Sequence, residues 1–279
     1  MRLAHSLGGM WIALAQISSS ADIMANLATV ERYVSAAAQR GADMVVFPEA
    51  TMQGFGTGRL DRVAERIDGP FATRICQLAR ELNIVIVVGM FSPADTHDGK
   101  QRINNVALIA HPDSVREYRK IHTYDAFGFK ESDTVRPGNQ LVTFPVGDVT
   151  CGIAVCYDVR FPQQFIDLAR LGAEVIVLPA SWADGEGKLE QWRTLTAARA
   201  LDSTSYIVAC DQAVAEDERA PGAPTGVGHS AVVTPDGRRI AEAGTREELF
   251  MVNVNRDLVR RTREAIPVLA DAGYNQNGE

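Results

Sequence analysis

The sequence predicts an α/β fold of stacked, mixed β-sheets covered by helices, and three observations carry that expectation. Short apolar, β-branched runs alternate with amphipathic helical segments through the first half of the chain. Later runs follow one another through turns such as Pro235-Asp236-Gly237, which adds antiparallel pairs to the pattern. Hydrophobic residues make up 46% of the 279 positions, enough to bury a substantial core.

Trp11–Ala15 reads as the first strand. A helix follows over 22–40, where Ile23, Leu27, Val30 and Val34 share a face and Gly41 is the stop. Residues 43–47 form a strand that runs into Pro48-Glu49. Over 71–82, Phe71, Ile75, Leu78, Ala79 and Leu82 line one side of a second helix. Ile84–Val88 is a wholly apolar strand, and 103–110 pairs with 115–119 across His111-Pro112-Asp113. Residues 121–140 carry no clear period, and a loop this long in a compact domain is more often functional than idle. Strands at 141–146 and 149–155 lead to a helix over about 161–171, with Pro162 in its first turn and Gly172 as its stop. Val175–Leu178, a helix over 188–203, and strands at 206–210, 229–234, 239–243 and 249–254 complete the chain. No linker, low-complexity tract or repeat interrupts it. Residues 10–279 are therefore expected to form one domain after a ragged start over 1–9.

Composition excludes several classes of function. The net charge of −7, with both signs interspersed, argues against a nucleic-acid groove or an anionic membrane surface. No apolar run reaches the ~18 residues of a membrane span. Cys76, Cys151, Cys156 and Cys210 show no CxxC spacing, and His5, His97, His111, His122 and His229 show no ligand spacing. Free thiols in a reducing cytoplasm, without metal or cofactor, are the expectation.

Three polar residues end otherwise strand-like runs. Cys156 closes Gly152-Ile153-Ala154-Val155, Glu49 closes Met44-Val45-Val46-Phe47-Pro48, and Lys120 closes Val115-Arg116-Glu117-Tyr118-Arg119. Each has a plain structural reading: a small core residue, a salt-bridged surface carboxylate, a solvated basic strand end. Strand parity places Cys156 on a face with Gly152 and Ala154, which leaves room for a ligand. Together, a thiol, a carboxylate and an amine suffice for covalent hydrolysis. Glu49 could take the thiol proton, and Lys120 with the Tyr157 N–H could stabilise an oxyanion. A competing dyad of Cys156 with His229 fits less well, because Tyr157-Asp158 are bulky for a nucleophile elbow.

The motifs Phe47-Pro48-Glu49, Tyr118-Arg119-Lys120-Ile121-His122 and Cys156-Tyr157-Asp158-Val159-Arg160-Phe161-Pro162 occur in that order. Through them the chain, from about Trp11 to Val268, resembles the nitrilase superfamily of carbon–nitrogen hydrolases. The resemblance implies a four-layer α-β-β-α sandwich, a homodimer or a larger assembly of dimers, and a Glu49–Lys120–Cys156 triad. It also implies a further glutamate after the lysine, for which Glu131 is the match. Tyr157-Asp158 after the cysteine, where true nitrilases have Trp-Glu, resembles amidase members such as ω-amidases and deaminated-glutathione amidases. The implied substrate is a small carboxamide cleaved through a cysteine thioester. N-carbamoyl hydrolysis, nitrile hydrolysis and a non-catalytic binding relative are the alternatives. Arg160 either recognises a substrate carboxylate or forms a buried ion pair that positions the cysteine loop. Phe55, Tyr124 and Trp182, in loops near strand ends, are candidate pocket walls.

Overall fold

A computed structural model describes residues 9–126, 129–215 and 223–271. Two six-stranded sheets lie face to face, each with helices on its outer side, giving the four-layer order α-β-β-α. The first half runs β1 (Gly9–Gln16), α1 (Ile23–Gln39), β2 (Met44–Val46), α2 (Pro70–Leu82), β3 (Val85–His97), β4 (Lys100–Ala110) and β5 (Val115–Arg119). A two-stranded ribbon, β6 (Asp125–Ala126) and β7 (Phe129–Lys130), precedes the second half. That half runs β8 (Thr143–Val146), β9 (Val149–Ile153), α3 (Pro162–Arg170), β10 (Val175–Ala180), α4 (Lys188–Ser203), β11 (Tyr206–Asp211), β12 (Ala231–Val233) and β13 (Arg239–Glu242). β14 (Glu248–Asn255) then returns to the first sheet, followed by α5 (Arg256–Ala265) and α6 (Val268–Asp271).

The strand orders are β14-β1-β2-β3-β4-β5 and β13-β12-β11-β10-β9-β8. In each sheet the central strands are parallel: β1, β2 and β3 in one, β9, β10 and β11 in the other. Antiparallel strands flank them. Parallel strands buried on both faces read as continuous apolar runs, and the mixed pattern follows from adding hairpins to them. Strand alternation divides the core. Ile12, Leu14, Met44 and Val46 face the second sheet, while Ala13, Ala15 and Val45 face α1 and α2.

The helices start and stop for local reasons. Asp22 caps α1, its Oδ1 accepting from the N–H groups of Met24 (2.8 Å) and Ala25 (3.1 Å). Pro70 and Pro162 occupy the first turns of α2 and α3. Asn83 ends α2 in the left-handed region at φ 49°.

Several boundaries differ from expectation. Gly9, expected in a ragged start, opens β1 opposite Asn255; residues 1–8 lie outside the described residues, as do 272–279. The strand expected over 84–88 continues to His97 and turns at Asp98-Gly99 into β4. Ser92, Pro93 and Asp95 mask that extension, because it projects beyond the core and needs no apolar alternation. α5 was hidden by its arginines: only Val259 and Thr262 are buried. The stretch 121–140 contains β6, β7 and a 3₁₀ turn over Glu131–Asp133, with Phe127-Gly128 outside the described residues. The four cysteines are unpaired thiols. No helix among the described residues is long and apolar enough to cross a membrane.

One glycine ties the first sheet to the segment after β2. Gly89 donates its N–H to Pro48 O (3.2 Å), and its carbonyl accepts from Met52 N–H (3.0 Å). A Cβ at Gly89 would lie 2.6 Å from Pro48 O and Ala50 N. These atoms are backbone and cannot swing aside. Gly89→Ala is therefore expected to destabilise the protein by about 1–3 kcal/mol, as overpacking does. Urea unfolding measures this; a variant within a few tenths of a kcal/mol of the parent would show that the 48–52 segment yields freely.

Candidate active site

Five strand ends converge at one edge of the sandwich. Glu49 follows β2, Lys120 follows β5, and Cys156 follows β9. Ser181 follows β10, and Asp211 ends β11. The carboxyl ends of parallel strands are where open α/β sheets leave a crevice. The chain turns abruptly there: Ala50 has φ 58° and Cys156 has φ 47°. Left-handed backbone at a residue with a Cβ is strained and persists only when its surroundings hold it.

That corrects the parity reading of Cys156. β9 ends at Ile153, and Cys156 opens a 3₁₀ turn over Cys156–Arg160, so it does not continue the strand face of Gly152 and Ala154. The elbow forms despite bulky neighbours because Asp158 anchors it. Its Oδ2 accepts from Val155 N–H (2.8 Å) and Tyr118 O–H (2.6 Å). Its Oδ1 accepts from His122 N–H (3.0 Å) and lies 2.8 Å from His122 Nδ1. The Tyr118 and His122 of one motif thus brace the Asp158 of another.

The ionic cluster is buried. Lys120 Nζ donates to Glu49 Oε1 (3.0 Å) and to Glu131 Oε2 (3.0 Å) and Oε1 (3.2 Å), with 2% of Lys120 exposed. Asn105 on β4 bridges the two carboxylates, donating to Glu49 Oε1 (2.7 Å) and Glu131 Oε1 (3.3 Å). The backbone adds Tyr124 N–H to Glu131 Oε2 (2.6 Å) and Ser181 N–H to Glu49 Oε2 (3.0 Å). Ser181 O accepts the Cys156 thiol at 3.6 Å.

Burial pushes the Glu49 carboxyl above the usual carboxylate range, with Glu131 adding to the rise and Lys120 opposing it. Burial disfavours the Lys120 charge, yet Glu131 and Glu49 outweigh it and hold the ammonium well above the ordinary lysine value. Burial first, then the Glu49 charge, push the Cys156 thiol well up, against the pull of Lys120. The thiol is neutral at rest and needs a base when it reacts.

Cys156, Glu49, Lys120 and Glu131 line one pocket of about 600 Å³, open solvent at its mouth included. Phe55, Tyr124, Tyr157, Arg160 and Trp182 line it too, so every site residue named from sequence reaches the same cavity. Arg160 makes no ion pair among the described residues. It donates to Gln191 Oε1 (2.6 Å), and its guanidinium lies 5.1 Å from the Trp182 ring. His229 lies outside the pocket lining and sits 3.0 Å from Glu242.

Four contributors escaped sequence reading: Asn105, Lys188, Asp211 and Gln212. Lys188 lines the pocket from the first turn of α4, where a cation opposes the helix dipole; that misplacement was the available signal. Burial, then the Arg160 charge, lower its ammonium below the usual lysine value. Asp211 ends an apolar strand as Glu49 does. Gln212 Nε2 donates to Glu49 O at 2.8 Å. Asn105, mid-strand beside Asn104, gave no pattern to read.

Removing Lys120 tests this electrostatic balance. Lys120→Met leaves two buried carboxylates sharing Asn105, so about 3–5 kcal/mol of stability should be lost. Glu49, already raised, then retains a proton in the folded state that the unfolded chain releases. The native variant therefore binds more protons than its unfolded state, and its stability falls as pH rises from 5 to 8. Denaturant unfolding at the two pH values checks this; a deficit independent of pH would mean the carboxylates do not interact.

Comparison with known proteins agrees with the geometry. The sequence pattern of the carbon–nitrogen hydrolase family matches residues 11–264. A protein of Mycobacterium tuberculosis named as a hydrolase is 47% identical over 269 residues, covering 93% of this chain and 94% of the relative. The ω-amidase NIT2 of Xenopus tropicalis is 30% identical over 264 residues, covering 92% of each. The crystal structure of Saccharomyces cerevisiae Nit3, described as a member of branch 10 of the nitrilase superfamily, superposes with a TM-score of 0.79 at 26% identity, covering 97% of both chains.

Proposed function

The chain belongs to the carbon–nitrogen hydrolase family of the nitrilase superfamily, and from that footing we propose that it hydrolyses a small primary carboxamide through a thioester on Cys156. The observation that carries the reading is the meeting of one thiol with the Glu49–Lys120–Glu131 cluster in a single pocket.

Glu49 takes the thiol proton as Sγ attacks the amide carbon. Charge develops on the carbonyl oxygen, where the Lys120 ammonium and the Tyr157 N–H stabilise it, each by about 3 kcal/mol. Glu49 returns the proton to the nitrogen, the C–N bond breaks, and ammonia leaves a thioester. Glu49 then deprotonates water for attack on that thioester. Its collapse releases the acid and restores the thiol. Glu131 does no proton transfer; it keeps Lys120 charged and in place.

Arg160 and Lys188 on the pocket wall favour an acyl group that carries a carboxylate. The relative named as an ω-amidase supports the amide reading. Tyr157-Asp158 after the cysteine, where true nitrilases have Trp-Glu, also favours it over nitrile hydrolysis. N-carbamoyl hydrolysis uses the same machinery and differs in releasing carbon dioxide. A reducing compartment such as the cytoplasm suits the four thiols. A homodimer is part of the same reading: Leu171 after α3 and Leu201 on α4 are 57% and 47% exposed and suit a subunit face. Light scattering at micromolar concentration should give a dimer or larger, not a monomer.

Cys156→Ala should abolish ammonia release from small amides while the protein stays folded by circular dichroism; turnover by the folded variant would sink the nucleophile. Product analysis separates the routes: ammonia with an acid for an amide, added carbon dioxide for a carbamoyl group. Lys188→Met should raise KM for carboxylate-bearing amides by about 10–100-fold, a charge-assisted contact being worth roughly 1.5–3 kcal/mol. Neutral amides should be little affected. Equal losses for both substrate types would show that the two cations only support the loop.

A further inference from the structure

Asp211 is a fully buried carboxylate that the proposed chemistry does not use. Its Oδ1 accepts from Trp182 N–H at 2.7 Å, and its Oδ2 accepts from Val227 N–H at 2.8 Å. Trp182 N–H belongs to the same peptide unit as the Ser181 carbonyl, which accepts the Cys156 thiol at 3.6 Å. No peptide bond among the described residues is cis, so these two groups point in opposite directions across one rigid plane. The Ser181 N–H, in the preceding peptide unit, holds Glu49 Oε2 at 3.0 Å. The next residue, Gln212, holds the Glu49 carbonyl through its side chain.

We propose that Asp211 is a positioning residue for the reaction: by gripping the Trp182 N–H it orients the Ser181–Trp182 peptide, whose carbonyl aims the Cys156 thiol, and it fixes Ser181, whose own N–H in the preceding peptide unit holds the Glu49 carboxylate. Asp211 also ties the Val227 N–H to the end of β11 through its other oxygen. It pairs with no cation among the described residues, although burying a carboxylate alone is costly. Burial pushes its carboxyl up to about 8, while the N–H groups of Val227, Trp182 and Gln212 pull it back and the Glu49 charge adds to the rise. Groups facing it from the neighbouring strand ends are Glu49 and Cys156, with Lys120 behind Glu49. Above about pH 8 a buried negative charge stands behind the peptide, in the range where the Cys156 thiol loses its proton, and it raises the proton affinity of Cys156 as well.

This charge gives the arrangement a signature that mere packing lacks. The inference rests on Cys156 and Glu49 acting as nucleophile and base, so the test reads the thiol directly as well as turnover. Asp211→Asn keeps the shape but offers only one acceptor oxygen where two N–H groups need one. It should lower kcat by about 10–100-fold, the range expected for misaligned reacting groups, with KM nearly unchanged. The pH midpoint for alkylation of Cys156 by iodoacetamide should move down, because a negative charge near the thiol is gone. Unchanged kcat, or a kcat loss with the alkylation midpoint unmoved, overturns the proposal.

A measurement on the unmutated protein keeps the test alive should Asp211→Asn fail to fold. Alkylating Cys156 breaks the thiol contact to Ser181 O, and the Trp182 amide resonance across the same peptide should shift in a ¹⁵N-correlated spectrum. A Trp182 amide that does not respond overturns the relay. Full turnover by Cys156→Ala would instead sink the nucleophile assignment, an outcome separate from either of these.

Discussion

The site depends on one buried ammonium. Lys120 sits out of water between Glu49 and Glu131, and removing three charged groups from water costs several kcal/mol each unless every hydrogen-bonding position is used. The surrounding residues use them. Lys120 Nζ donates to both carboxylates, Asn105 bridges them, and the N–H groups of Ser181 and Tyr124 take the outward oxygens. Each partner arrives on a different segment: β4, the end of β5, the turn at Glu131, the end of β10. Moving any one leaves a buried charge unsatisfied, so the ion cluster penalises any displacement of the strand ends that carry it. Burial first, and then the one negative charge that the cluster keeps in excess, hold the adjacent thiol protonated and raise the proton affinity of Glu49.

The two sheets repeat one plan, three parallel strands with antiparallel flanks, and the site uses both. The first sheet supplies Glu49 and Lys120, and the second supplies the thiol and the Ser181 carbonyl that accepts it. The apolar layer between the sheets, with Met44, Val46, Ile153 and Val177 in it, sets the distance between these contributions. A carboxylate on one sheet can meet a thiol on the other only if that layer is packed to constant thickness. Left-handed turns at Ala50 and Cys156 then lift the side chains off their strands. Those turns are strained; Gly89 makes room for one by lacking a Cβ, and Asp158 holds the other by bonding across the elbow.

The fold was legible where sequence and burial share a period. Strands such as 175–178 and helices such as 71–82 read directly, because their apolar faces meet the core. The β3–β4 extension and α5 did not, since each is held by backbone pairing or capping and buries few side chains. The site was legible for a different reason. Glu49, Lys120 and Cys156 are polar residues closing strand runs, which packing does not explain; Glu131 needed the family resemblance. Asp211 shows the same signature at the end of Tyr206-Ile207-Val208-Ala209-Cys210 but has no matching motif to call attention to it. Asn105 could not be found at all: its role depends on which strand neighbours β5, and only the register of Val106 with Arg119 decides that.

Charge is sorted across the pocket. Glu49 and Glu131 stand with Lys120 on one side, while Arg160 and Lys188 stand near the rings of Tyr157, Tyr124 and Trp182. On the proposed reading this sorting fixes the direction in which a substrate enters. A carboxylate turned toward the glutamates meets a net negative cluster in low dielectric, where like charges a few ångströms apart repel by several kcal/mol. Turned the other way it meets two cations, and the neutral amide is left facing Cys156. The aromatic rings strengthen that preference by excluding water and by lying against the guanidinium. Orientation then comes from the field of the pocket before any hydrogen bond to the amide forms, and the catalytic cluster needs no recognition element of its own. An acidic base that must stay clear of the substrate's own charge, and a cationic wall that draws that charge away, are two sides of the same constraint.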